Sequence, residues 1–237
     1  KRVFKDGDLV AENGRIRHGF KKPSALTKMK KGLHLPFLHE NSFLLQSDQP
    51  LAKVIQLIPD QIVTQKVMGR IVLKEGIAYP NLKEDILKIA VLERHHGTGN
   101  IGIGFVRGFG LKKGAIGSTV AHDSHNLVIV GTNDQDMIAV AKSIQQMGGG
   151  LAVALEGKVL SSLPLPMGGL MADRSVHEVH QSLKELLREV RGLGSRLPDP
   201  FMTLSFLSLP VIPELKITDK GLVDVHQFKI VSVFGED

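Results

Sequence analysis

The chain has no cysteine, no tryptophan and a single tyrosine, and only 5% of its 237 residues are aromatic. Without cysteine there is no disulfide framework, no zinc ribbon and no thiol nucleophile. That absence fits a reducing compartment, so a cytoplasmic setting is expected. Scarce aromatics leave few platforms on which bases could stack. The formal charge of +6 gathers near the start, at Arg15, Arg17, Lys21, Lys22, Lys28, Lys30 and Lys31, and reads as solvated surface rather than a nucleic-acid site. No stretch reaches the roughly 18 to 20 uninterrupted apolar residues of a membrane helix. The opening KRVFKDGDLV lacks the apolar run of a secretory signal. Neither nucleic acid nor membrane is therefore expected as a partner.

What is present is an ordinary globular composition, 42% hydrophobic and 23% charged, on a length that allows one large domain or two modest ones. Residues 1–58 are irregular. They offer a hairpin, with Asp6-Gly7 and Asn13-Gly14 as turn formers, then a basic stretch containing proline, then a strand at Lys53–Ile58. The chain opens at Lys1 in what reads as the middle of a sheet, which suggests a piece of a longer protein.

A boundary is expected near Pro59, and residues 59–237 read as α+β: a mixed or antiparallel sheet with two main helices. Strands are expected over 62–73, 85–93, 101–109, 115–121, 127–131, 151–155 and 159–163. Residues 134–147 carry Met137, Ile138, Ala141 and Ile144 on one helical face, with Thr132 or Asn133 as N-cap and Gly148-Gly149-Gly150 as stop. A second helix is expected over 176–191, opened by a capping box of Ser175 and Glu178. Its stripe of Val176, Val179, Leu183, Leu186, Leu187 and Val190 would include His180 as a packed histidine, with His177 outward. The prolines of PDPFMTLSFLSLPVIPEL forbid a long helix or a central strand, and 228–234 reads as a closing strand.

The chemistry-bearing residues concentrate in ERHHGTGNIGIGFVRGFGLKKGAIGSTVAHDSHN, residues 93–126. Gly97 to Gly102 matches G-x-G-x-x-G, but a dinucleotide site needs a helix after the motif. The following IGFVRGFG is β-like, so a turn into a strand is expected. His122-Asp123-Ser124-His125 sets a carboxylate between two imidazoles, a pattern that could ligate a metal or move protons, or could simply be a polar turn. Glu93-Arg94-His95-His96 also sits at a strand end, so the two clusters could converge on one site. Ser118, Ser124 and Ser205 lack the G-x-S-x-G context of a serine hydrolase.

The stretch LERHHGTGNIGIGFVRGFGLKKGAIGSTVAHDSHNLVIVGTND resembles the C-terminal part of the bacterial adenine deaminases, members of the amidohydrolase superfamily. MGGGLAVALEGKVLSSLPLPMGGLMAD, LPDPFMTLSFLSLPVIPELKITDKGLVDV and FKIVSVF extend the resemblance over nearly all of residues 60–237. Residues 1–58 resemble, more loosely, the end of the small β-sandwich that amidohydrolases build from both flanks of their barrel. The resemblance implies hydrolysis of adenine to hypoxanthine and ammonia in purine salvage. It also implies a binuclear divalent centre of manganese or iron on a barrel, where a metal-bound water becomes a nucleophile near neutral pH.

No His-x-His occurs in this sequence, and the family's metal-binding and proton-shuttling residues have no counterparts here. No metal is expected on this chain alone. Its candidates are substrate-binding or supporting residues: Glu93, Arg94, His95, His96, His122, Asp123, Ser124, His125 and Asn126. The expected partners are the missing barrel portion, adenine as substrate of the intact enzyme and, as an option, further copies of the chain. A non-enzymatic alternative is an inactive binding or assembly module. A third is a small metallohydrolase built on His95, His96, His122 and His125.

Overall fold

A computed structural model describes residues 1–17 and 33–235. The chain divides into two compact units, Lys1–Lys30 and Lys31–Asp237. The first contains β1 (Arg2–Lys5), β2 (Asp8–Glu12) and β3 (Arg15–Ile16), an antiparallel meander. Both connections use the expected Asp-Gly and Asn-Gly pairs, with all four residues at positive φ, as a tight hairpin turn requires. Glu12 pairs with Arg2 and Arg17 at 2.9 and 2.6 Å. The lysines of the basic cluster, Lys21 to Lys31, lie outside the described residues.

The second unit holds β4 (Leu51–Leu57), β5 (Thr64–Arg70), β6 (Val72–Lys74), β7 (Ile77–Tyr79), β8 (Ile86–Leu92), β9 (Ile101–Arg107), β10 (Ala115–Ser118) and β11 (Leu127–Gly131). Then come α1 (Asp134–Met147), β12 (Gly150–Leu155), β13 (Lys158–Pro164), α2 (Val176–Gly192), α3 (Pro200–Phe206), β14 (Leu215–Thr218), β15 (Gly221–Asp224) and β16 (Lys229–Val231). Among the described residues, eight strands form one sheet in the order β13-β12-β10-β11-β8-β9-β4-β5. Every neighbouring pair is antiparallel except β4 with β9. The fold is α+β, as the strand and helix periods indicate. β4 runs inside this sheet, although the sequence groups it with the N-terminal segment.

Both faces of the sheet are covered, and this explains why its central strands read as continuous apolar runs. Ile89, Val91, Val106, Ile116, Val128, Val130 and Val153 pack with Leu186 and Val190 of α2, Phe201 and Leu204 of α3, and Leu215, Ile217 and Leu222 of the β14–β16 sheet. Ala90, Leu92, Ala115, Leu127, Ile129 and Ala152 pack with Met137, Val140, Ala141 and Ile144 of α1 and with Leu38 and Phe43. One buried cation interrupts the second face. Lys88 donates to the Phe43 carbonyl at 2.8 Å and pairs with Asp134 at 2.5 Å.

The helix boundaries follow their caps. Asn133 accepts from the Asp136 amide at 2.8 Å, and α1 ends at Gly148 with φ 75°. Ser175 and Glu178 complete the capping box of α2. Its packing departs from the expected stripe, because α2 rests on β12 and β13 through Leu186 and Val190 while Val176 is 87% exposed and His180 is exposed too. A periodic stripe does not say where the underlying layer ends.

Four further differences concern three stretches of strand and one short helix. The run expected over 62–73 divides: β5 pairs with β4, and β6 turns away to pair with β7. The proline-rich stretch holds α3, with Pro200 in the first turn, where its missing N–H costs nothing, and Asp199 capping the Met202 amide. β14 and β15 have no counterpart among the expected strands. The closing strand is the short β16, paired only with β15 among the described strands.

Candidate functional site

β8 ends at Leu92, and its last turn is shaped by Glu93. This carboxylate, buried at the strand end, accepts the amides of His95, His96 and Thr98 at 2.5, 2.8 and 3.0 Å and the Thr98 hydroxyl at 3.2 Å. Burial opposes ionisation, but these donors outweigh it and hold the carboxyl at about 2. Glu93 is thus engaged by its own loop, and the loop it folds presents His95 and His96 to solvent.

Arg94 points the other way and is buried. Its Nε donates to the His125 carbonyl and its Nη2 to the Gly168 carbonyl at 2.9 Å. Gly169, at φ 75°, lies flat against the guanidinium, where a Cβ would come within 3.0 Å of its atoms. Arg94 therefore fastens three segments together: the end of β8, the loop before β11 and the loop after β13.

The two histidine-containing segments meet, since His95 Nε2 lies 2.7 Å from the Ser124 carbonyl oxygen. Within 122–126, Asp123 and Ser124 are exposed, His122 and His125 are half-buried, and Asn126 is buried. His125 Nδ1 accepts from the Ala121 amide at 3.3 Å, which leaves the ring proton on Nε2. Burial, then the nearby His122 and Arg94, lower its pKa, with Asp123 opposing. His122 packs against Phe206, ring centroids 4.7 Å apart, and its amide donates to the Ser205 carbonyl at 3.0 Å.

Asp219, in the β14–β15 turn, completes the constellation. One of its oxygens accepts from Asn100 Nδ2 at 3.0 Å and the other from Asn126 Nδ2 at 3.3 Å. It can reach them because the turn presses onto β9 at Gly102, where an added Cβ would lie 1.9 Å from the Thr218 carbonyl oxygen. The last glycine of the G-x-G-x-x-G stretch therefore serves a close backbone approach, and the motif is a turn into a strand.

All nine sequence candidates thus lie at one end of the sheet. They divide into a buried frame of Glu93, Arg94 and Asn126 and an outward face of His95, His96, Asp123 and Ser124, with His122 and His125 between. Asp219 and Asn100 join that frame although neither is among the sequence candidates. Asp219 carries no signal beyond an ordinary turn sequence, TDKG.

The constellation does not fit a binuclear metal centre. Among the described residues no three His, Cys, Asp or Glu side chains are grouped to hold a metal ion. Glu93 is filled by amides, and His95 and His125 each spend a ring nitrogen on the backbone. The four-histidine metallohydrolase therefore finds no support in the geometry.

Residues 61–229 match the family model described as the adenine deaminase C-terminal domain. The chain belongs to that family. It is 51% identical over 235 residues to adenine deaminase 2 of Carboxydothermus hydrogenoformans, covering 98% of this chain and 41% of that protein. To an adenine deaminase of Desulfatibacillum aliphaticivorans it is 56% identical over 192 residues, 81% of this chain and 34% of the other. To that of Methanothrix thermoacetophila it is 43% identical over 236 residues, 100% and 41%. The chain spans between 34% and 41% of the length of these relatives. Among the described residues no helix is long and apolar enough to cross a membrane.

Proposed function

We propose that this chain is the C-terminal portion of a metal-dependent adenine deaminase of the amidohydrolase type. Adenine and water become hypoxanthine and ammonia as a C6–N bond breaks and a C6–O bond forms. The match of residues 61–229 to the adenine deaminase C-terminal domain carries this reading, supported by relatives aligned along nearly the whole chain. A manganese or iron pair would belong to the portion of the enzyme outside this sequence and would supply an activated water there. Purine salvage in the cytoplasm is the matching physiological setting.

On this reading, the outward face of His95, His96, Asp123 and Ser124, together with the half-buried His122 beside it, covers the mouth of the catalytic portion, binds the purine and excludes water from the reacting carbon. The rigid frame behind it suits that task, because side chains position a substrate only when their own geometry is held. Arg94, Glu93 and Asp219 supply that restraint. The test is made on the intact enzyme with adenine as substrate. His122→Ala and Asp123→Ala should each lower turnover by about tenfold or more, a range typical of lost proton-transfer or positioning groups. Wild-type kinetics in both variants would refute the role. The 237-residue chain alone should release no hypoxanthine from adenine and manganese.

A further inference from the structure

Beside the histidines, a half-open groove of about 390 Å³ runs between residues 56–62, which lead out of β4, and residues 197–207, which contain α3. Leu57, Ile58, Met202 and Phe206 make much of its lining, with Ile62 at the rim. Ile62 and Met202 are about half exposed, at 48% and 49%. Val211 is 66% exposed and stands two residues before Pro213, whose carbonyl accepts from Thr64 of the groove wall at 2.9 Å. The wall is fixed from behind. Lys216, fully buried, donates to the Ile62 carbonyl at 2.8 Å, and Thr64 Oγ1 donates to the Leu215 carbonyl at 2.7 Å.

Phe206 connects this groove with the candidate site, because it lines the groove and also receives the His122 ring. A face carrying only histidines, Asp123 and Ser124 has little apolar surface with which to hold itself against anything. The groove next to it supplies that surface, and a few apolar anchors seated in pockets carry most of the energy of typical interfaces. About three fifths of the length of the matched relatives lies outside this chain, and that remainder is what the candidate face would have to cover.

We infer that the groove between residues 56–62 and 197–207 is the docking site for an apolar segment of that remaining portion of the same enzyme. Seating that segment would bring His122 and its neighbours over the catalytic portion. The inference rests on the proposed function for its occupant, not for its geometry.

Two methionines of similar exposure provide the measurement: Met202 in the groove at 49% and Met68 on β5 at 51%. Oxidative footprinting compares the 237-residue chain with the intact enzyme, using Met68 as internal reference. Met202 should oxidise about tenfold more slowly in the intact enzyme, as expected for a side chain taken from solvent into an interface. Ile62→Asp in the intact enzyme should return Met202 toward its rate in the isolated chain and raise KM for adenine. Equal Met202 rates in the two proteins would overturn the inference. So would protection that appears in the isolated chain and grows with its concentration, which would assign the groove to a second copy. An intact enzyme that protects Met202 but releases no hypoxanthine would remove the proposed activity and leave the docking site standing.

Discussion

Replacing Glu93 by glutamine tests whether the loop that carries His95 and His96 is held by charge. The carboxylate takes three amides and one hydroxyl, and its pKa falls from the ordinary 4.5 to about 2. Proton binding that is tenfold weaker in the folded chain corresponds to about 1.4 kcal/mol of stability. The ionised group therefore contributes on the order of 3 kcal/mol to folding at neutral pH, as an upper bound. The sign follows from linkage. The unfolded chain binds the proton more tightly than the folded one, so the contribution is complete above pH 4.5 and disappears as pH falls toward 2.

Denaturant unfolding of the wild type and Glu93→Gln at pH 7, 5, 4 and 3 measures this directly. At pH 7 the variant should be less stable by about 2 to 3 kcal/mol, and at pH 3 the gap should have fallen by more than half. Amide exchange at His95, His96 and Thr98 should accelerate in the variant, since those N–H groups lose an ionised acceptor. A stability gap that is the same at pH 7 and pH 3 would show that Glu93 acts through shape alone and would refute the electrostatic account of the loop.

Two further substitutions probe the frame and the core. Gly102→Ala places a methyl 1.9 Å from the Thr218 carbonyl oxygen, so the β14–β15 turn must move by more than an ångström, breaking the contacts of Asp219 with Asn100 and Asn126. A loss of about 2 to 4 kcal/mol in unfolding free energy is expected, and a variant as stable as wild type would refute that close approach. Lys216 is buried and donates to a carbonyl rather than a carboxylate, and burial lowers its pKa from 10.5 to about 8. The penalty for its charge is complete below pH 8 and fades as pH rises to 10.5, so Lys216→Met should stabilise the protein at pH 7 by about 1 kcal/mol or more, with a smaller gain at pH 10. Thermal melts at the two pH values decide it, and a destabilised variant at pH 7 would refute the reasoning.

The parts of this fold legible in the sequence are those whose determinants are local. The ends of α1 and α2 are set by Asn133, Gly148 and the Ser175–Glu178 box, all within a few residues of what they cap. The central strands of the large sheet, β8, β10, β11 and β12, announce themselves because both of their faces are buried. β14 does not: its four residues include Lys216, a charged residue that in this fold is buried against a carbonyl. The position of His180 is equally hidden, since helical period fixes a face but not how far the opposing layer extends.

The candidate site follows the same rule. The histidines and Asp123 could be named from residue type alone, but their division of labour could not. Glu93 looks like chemistry in the sequence and is the linchpin of its own loop: it takes the amides of His95 and His96 directly, and that of Thr98 once the chain has turned at Gly97. Asp219 looks like a turn residue, yet it joins loops more than ninety residues away in sequence. What makes this possible is a residue with no side chain. Gly102 lets one backbone lie on another, and the carboxylate that orders Asn100 and Asn126 arrives with it. Short-motif reading assigns such a glycine to a nucleotide. Here the close approach is made by the chain itself, so the glycine-rich stretch builds a rigid platform from which the histidines can face whatever the remaining portion of the enzyme presents.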